Sequence, residues 1–263
     1  MAATANGTET SMHVNGTSGG VAPPKIHLYT NHRCPYAHRA HIALEELGLP
    51  YEETIIDLDT PRPQWYLDIN PRGLVPSIKY TVPGIENEEI IYESGIVSQF
   101  LCDSFPSPLL PSTREDPTAP LRRARINFFI DTWNSKLSSS QMGVMKAPSA
   151  EKDDKVKGWV ATIEKEIEPL LANTSDKAPF FGGSTELTFA EVIVAPFLVR
   201  SFAFAKQGKY VPSTFMKMIE DLPNFSRWAK AVSEHPSVTK IYNEKESTEG
   251  FAKKYGKMME EVK

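Results

Sequence analysis

Five prolines fall between Phe105 and Pro120, and the spacing of apolar residues changes across them. Proline lacks an amide hydrogen and fixes φ, so neither a helix interior nor a central strand continues through such a stretch. Before it, strand-like alternation and helix-like spacing take turns; after it, the spacing is helical throughout. A chain of 263 residues is long enough to bury two cores. We therefore expect a tail over 1–24, an α/β unit over 25–105, a linker over 106–116 and an all-helical unit over 117–263.

Lys25 to Thr30 alternates polar and apolar residues and predicts a strand. Pro35 then opens a helix through Leu47, with Ala40, Ala43, Leu44 and Leu47 on one face and Gly48 closing it. Tyr51 to Asp57 predicts a second strand, and Trp65 to Ile69 a short helix before Asn70-Pro71-Arg72-Gly73. Pro76 to Tyr80 and Glu89 to Tyr92 form an expected hairpin turning at Pro83-Gly84, and a helix from Ser94 is expected to bury Ile96, Val97, Phe100 and Leu101. This order implies a mixed sheet with helices on its faces. In the second half, Leu121 to Leu137 and Val156 to Leu171 carry helical spacing. Thr188-Phe189-Ala190-Glu191 has the pattern of a capping box, a further helix holds Phe225, Trp228 and Val232, and Pro236 is expected to open the last one.

Composition excludes several function classes. The first 24 residues are rich in Ala, Thr, Gly, Ser and Asn, with no apolar block to direct export, and are expected to be disordered in a cytoplasmic protein. The Asn6-Gly7-Thr8 and Asn15-Gly16-Thr17 matches to a glycosylation pattern then carry no meaning. A net charge of −4 supplies no basic surplus for nucleic acid or anionic membrane. The most apolar stretch, Val192 to Ala205, is interrupted by Pro196 and Arg200 and does not span a bilayer. Two cysteines make neither a disulfide framework nor a thiolate zinc site, so no metal is expected.

Of those cysteines, Cys34 carries the chemistry. In Arg33-Cys34-Pro35-Tyr36-Ala37-His38-Arg39 it stands where a strand ends and a helix begins. Unpaired amides and the positive end of the helix dipole there favour a thiolate, which is the nucleophilic form. Ala37 occupies the place where a dithiol redox protein carries its second cysteine, so any disulfide of Cys34 is with another molecule. Cys102 follows Phe100 and Leu101 on an apolar helix face and is expected to pack. His38 and Arg39 are expected on the helix surface or between domains, not in catalysis.

Cys34-Pro35-Tyr36-Ala37, then Asn70 to Pro76, then Glu93-Ser94-Gly95-Ile96 resemble the omega-class glutathione transferases. The resemblance runs from Lys25 to about Tyr242 and includes the Thr188 to Glu191 box, with Glu where that family usually has Asp. It implies a thioredoxin-like domain with a cis Pro76, followed by an all-helical domain, and glutathione as cofactor. Val75 would pair with the tripeptide as an added strand does. Ser94 would receive its γ-glutamyl carboxylate, Glu93 its ammonium, and Arg62, even bidentately, its glycyl carboxylate. Pro35, Tyr36, Phe129, Trp133 and Arg200 are candidates for the wall facing a small-molecule second substrate. Homodimers are usual in the superfamily.

These residues imply an enzyme in which Cys34 attacks a glutathione mixed disulfide or an oxidised small molecule and a second glutathione resolves it. Two alternatives keep the fold: a glutathione-dependent cis-trans isomerase or conjugating enzyme, and a non-catalytic binding or regulatory relative.

Overall fold

A computed structural model describes residues 24–81, 88–114 and 116–260, so the tail and the Pro83-Gly84 turn lie outside the described residues. The chain divides into two compact units between Leu101 and Cys102.

The first unit is built on a four-stranded mixed sheet in the order β2-β1-β3-β4. β1 (Lys25–Thr30) pairs in parallel with β2 (Glu52–Ile55), and antiparallel with β3 (Ser77–Thr81), which pairs antiparallel with β4 (Glu88–Tyr92). Ile26 and Leu28 of the central strand and Ile78 beside it are buried. Both edge strands carry paired acidic residues, Glu52-Glu53 and Glu88-Glu89, which discourage further strand pairing. β2 is shorter than the expected Tyr51 to Asp57.

α1 (Pro35–Glu46) joins β1 to β2 and is buried continuously from Ala37 to Leu44. α2 (Gln64–Ile69) lies between β2 and β3 and contributes the fully buried Tyr66. α3 (Ser94–Ser104) buries Val97, Ser98, Leu101 and Cys102. Ile96, expected inside, is 59% exposed. The inner face follows the helical repeat through 97, 98, 101 and 102, and Ile96 falls one step of about 100° off it, with the exposed Gln99 and Asp103. Phe100 is half-buried and meets the Tyr80 ring edge-on at 4.9 Å.

The second unit is helical. α4 (Ala119–Thr132) continues through a π-helical turn, Trp133–Leu137, into α5 (Ser138–Lys146), and α6 (Lys152–Glu166) follows. α7 (Phe189–Gln207) is the buried centre of the unit and runs through Pro196. α8 (Thr214–Ile219), α9 (Pro223–Glu234), α10 (Pro236–Thr239) and α11 (Glu244–Glu260) complete it. Pro236 thus opens one turn only, and the last helix begins at Glu244.

The capping box forms at the start of α7. Thr188 Oγ1 accepts from Ala190 N at 3.2 Å, and Glu191 Oε2 accepts from Thr188 N at 2.8 Å. Fully buried, Glu191 also receives Phe181 N at 2.8 Å and Trp228 Nε1 at 2.7 Å. One carboxylate therefore ties the helix start to a preceding loop and to α9.

Candidate active site

Cys34 is the residue just before α1, in extended conformation, with Pro35 as the first helical residue. Its amide donates to Asn31 O at 2.9 Å, closing the turn out of β1. Asn31 is buried and holds that turn from its side chain, donating to Ile56 O at 2.9 Å and accepting from Arg33 N at 3.0 Å. The Cys34 side chain is half-buried against a cluster of Tyr29, Ala37, Ile56, Tyr66 and Val75, with Sγ 4.0 Å from Val75 O. Cys102 is the opposite case. It is buried, and burial pushes its thiol up to about 12, with Asp103 adding to the shift and Arg123 opposing it. Tyr36, next to Cys34, is 51% exposed.

The segment facing the sulfur is held from behind. The Val75–Pro76 peptide is cis. Leu74 O accepts from Tyr66 Oη at 2.5 Å and from Asn70 Nδ2 at 2.8 Å, so the carbonyl before Val75 is anchored twice. Gly73 has φ 62, and a Cβ there would meet Arg62 Cγ at 3.0 Å, which explains a glycine at this turn. Arg62 Nε donates to Gly73 O at 3.0 Å, while Nη1 donates to Thr60 O at 2.7 Å and to Asp57 O. A bidentate grip on a carboxylate, expected from the sequence, is therefore closed to Arg62. Only Nη2 takes no partner among the described residues.

At the same end of the sheet, where Tyr92 pairs with Ser77, Glu93 sits between β4 and α3 with φ 74, the left-handed region that a side chain seldom adopts. Its carboxylate accepts from Arg72, whose guanidinium lies over the Tyr92 ring. Ser94 is the first residue of α3 and is buried. Its Oγ accepts from Arg39 Nη1 at 3.0 Å.

Of the two placements expected for Arg39 and His38, the helix surface is excluded: both are buried, His38 completely. The Arg39 guanidinium lies 5.3 Å from the centre of the Tyr36 ring. Burial lowers its pKa to about 10, opposed by Tyr36 and Cys34, so it stays charged at neutral pH. A buried cation thus stands between the thiol end of α1 and the hydroxyl that opens α3. Nothing in the sequence marked this: His38, Arg39 and His41 fall on the side of α1 away from Ala40, Ala43, Leu44 and Leu47, where a helix ordinarily meets water. Tyr66 and Asn70, which brace Leu74, were also passed over.

Three candidates for the substrate wall are committed within the helical unit. Phe129 and Trp133 are buried against Trp228, at 5.6 and 6.0 Å between ring centres, and Phe129 also meets Phe181 at 4.7 Å. Neither ring is left to face a substrate. Arg200 is buried too, donating to Pro196 O at 2.7 Å with its guanidinium 5.0 Å from the centre of the Tyr242 ring.

A half-buried thiol at a helix mouth beside a cis-proline segment, in a four-stranded mixed sheet followed by a helical unit, matches two family models. Residues 33–104 match the glutathione S-transferase N-terminal domain, and residues 124–239 the C-terminal domain. The chain belongs to the glutathione transferases. It is 26% identical over 260 residues to a probable glutathione transferase omega-2 of Caenorhabditis elegans, covering 95% of this chain and 94% of that one. A probable glutathione S-transferase DHAR2 of rice (Oryza sativa subsp. japonica), described as chloroplastic, is 27% identical over 163 residues, 62% of this chain and 50% of that protein. Among solved structures, glutathione transferase Omega 2C from Trametes versicolor superposes with a TM-score of 0.72 at 28% identity, over 89% of this chain and all of that one.

Glutathione is accordingly the cofactor, and the first unit offers groups that suit it. Because Ser94 Oγ already accepts from Arg39, its own proton is free to be donated to an anion. The amides opening α3 favour the same charge. Among the described residues, no helix is long and apolar enough to cross a membrane.

Proposed function

We propose that this glutathione transferase is a monothiol oxidoreductase acting on glutathione mixed disulfides or small oxidised molecules, with Cys34 as the nucleophile. The observation that carries this reading is the position of the Cys34 sulfur, half-buried and 4.0 Å from Val75 O on a segment held by Tyr66 and Asn70. On this reading Val75 pairs with the tripeptide backbone, and Pro76 sets that backbone's direction. Ser94, its acceptor side taken by Arg39, donates to the γ-glutamyl carboxylate. Glu93 receives the ammonium, and Arg62 offers Nη2 to the glycyl carboxylate. Pro35 and Tyr36 border the second substrate.

The Cys34 thiolate attacks the glutathione sulfur of a mixed disulfide. The old sulfur–sulfur bond breaks, its electron pair leaves with the other thiolate, and Cys34 is left joined to glutathione. A second glutathione thiolate attacks that bond, releasing glutathione disulfide and the Cys34 thiolate. With Ala37 one turn on, no second cysteine of the motif competes for this step. The reading includes a cytoplasmic homodimer, which size exclusion with light scattering tests.

Mass spectrometry of the protein incubated with a glutathione mixed disulfide is expected to find a glutathionyl adduct on Cys34 that disappears when glutathione is added. Reductase activity is expected to vanish in Cys34→Ser. Full activity in that variant would overturn the reading.

A further inference from the structure

One trio among the described residues brings three metal-ligating side chains together: His32, His41 and Glu53, with one ligand atom of each within 4.8 Å of the others. They come from three consecutive pieces of the first unit: the turn after β1, the middle of α1, and β2. His32 Nε2 is 3.1 Å from each carboxylate oxygen of Glu53, and His41 Nε2 is 3.8 Å from Oε2. The two imidazoles meet edge to face, 5.1 Å between centres.

The inner ligand is fixed and the outer ones are reachable. The His41 side chain is 2% exposed, against 35% for His32 and 24% for Glu53. His41 Nδ1 is 3.0 Å from Tyr51 Oη, and Nε2 is 2.8 Å from Thr30 Oγ1. With the proton on Nδ1 and donated to Tyr51, the Nε2 lone pair accepts from Thr30 Oγ1, whose hydroxyl has to turn away for a cation to bind there. A second partner on the far ring nitrogen is how metal-binding histidines are oriented.

We propose that His32, His41 and Glu53 form a site for a divalent d-block cation of the zinc type, with a fourth position open to water. Ligand bonds of about 2.0–2.2 Å put tetrahedral neighbours about 3.3–3.6 Å apart, between the 3.1 and 3.8 Å observed for the two carboxylate edges. His32, on the solvent side, closes the third edge by a small ring movement. Two imidazoles select against magnesium and calcium, which prefer oxygen. None of the ligands is a thiol, so the site stands or falls apart from the reaction at Cys34.

The test uses the full, untagged chain, stripped with a chelator, in a Cys34→Ser background that removes the reactive thiol. Zinc titrated by calorimetry is expected to bind at one ion per chain. His32→Ala and Glu53→Gln are each expected to weaken it by at least about tenfold, since loss of a mere supporting partner already costs that much. Cobalt in place of zinc is expected to give the visible absorption of a low-symmetry site, lost in both variants. No binding, or unchanged affinity in both variants, would leave a hydrogen-bonded cluster and end the proposal. Should His32→Ala fail to fold, the isosteric Glu53→Gln decides alone.

Discussion

The least expected residue is Arg39, a buried guanidinium that occupies the acceptor side of Ser94 and so, on the proposed reading, leaves the hydroxyl proton for the ligand. A hydrogen bond to a charged group contributes about 1.5–3 kcal/mol, so Arg39→Met is expected to raise KM for glutathione by about tenfold or more. Ser94→Ala is expected to do the same, and the double variant to cost little beyond either, which a double-mutant cycle measures. The two cysteines separate in a labelling experiment. A thiol whose pKa stands at about 12 is protonated at every pH well below that, so native Cys102 is expected to resist iodoacetamide at pH 8. Cys34 is expected to react, and denaturation to expose the second site. Cys34 stood out in the sequence because it sits at an element boundary marked by proline, whereas Pro76 and Ser94 stood out only through the resemblance to the omega class. Arg39 did not, because a lone charge on a helix is ordinarily solvated. Only the packing of α1 on every side, from Ala37 to Leu44, turns it inward.

Among the elements, α7 depends on the carboxylate at its start. Glu191→Ala would leave Phe181 N, Thr188 N and Trp228 Nε1 without their acceptor. With each buried donor costing about 1–3 kcal/mol when unsatisfied, a loss of at least about 3 kcal/mol is expected, read as a lower denaturation midpoint. Thr188→Ala is expected to cost about 1 kcal/mol, the usual value of a lost cap. The box itself could be read from four residues. The reach of Glu191 to Trp228, 37 positions on, could not, since nothing local couples a cap to a distant indole. Periodicity likewise ran Leu121 to Leu137 as one helix and missed the π-helical turn at Trp133–Leu137, where the spacing slips by one residue. It set Ile96 inside α3 for a related reason: hydrophobicity alone does not fix the phase of a short helix.

For the whole molecule, any ligand that binds the native chain and not the unfolded one must stabilise it. Glutathione at a hundred times its dissociation constant is expected to add about 2.7 kcal/mol, seen as a higher melting temperature. In Arg39→Met the same concentration is expected to give a smaller rise. The two-unit plan was legible because proline spacing and hydrophobic period both report it. The aromatic core of the helical unit was not, since Phe129 and Trp133 carry no mark that separates a packed ring from one lining a cleft. The double anchoring of Leu74 O has a kinetic consequence as well. A docking strand that already has its shape needs no rearrangement on encounter, so peptide thiols of different fit should arrive at similar speeds and differ in how long they stay.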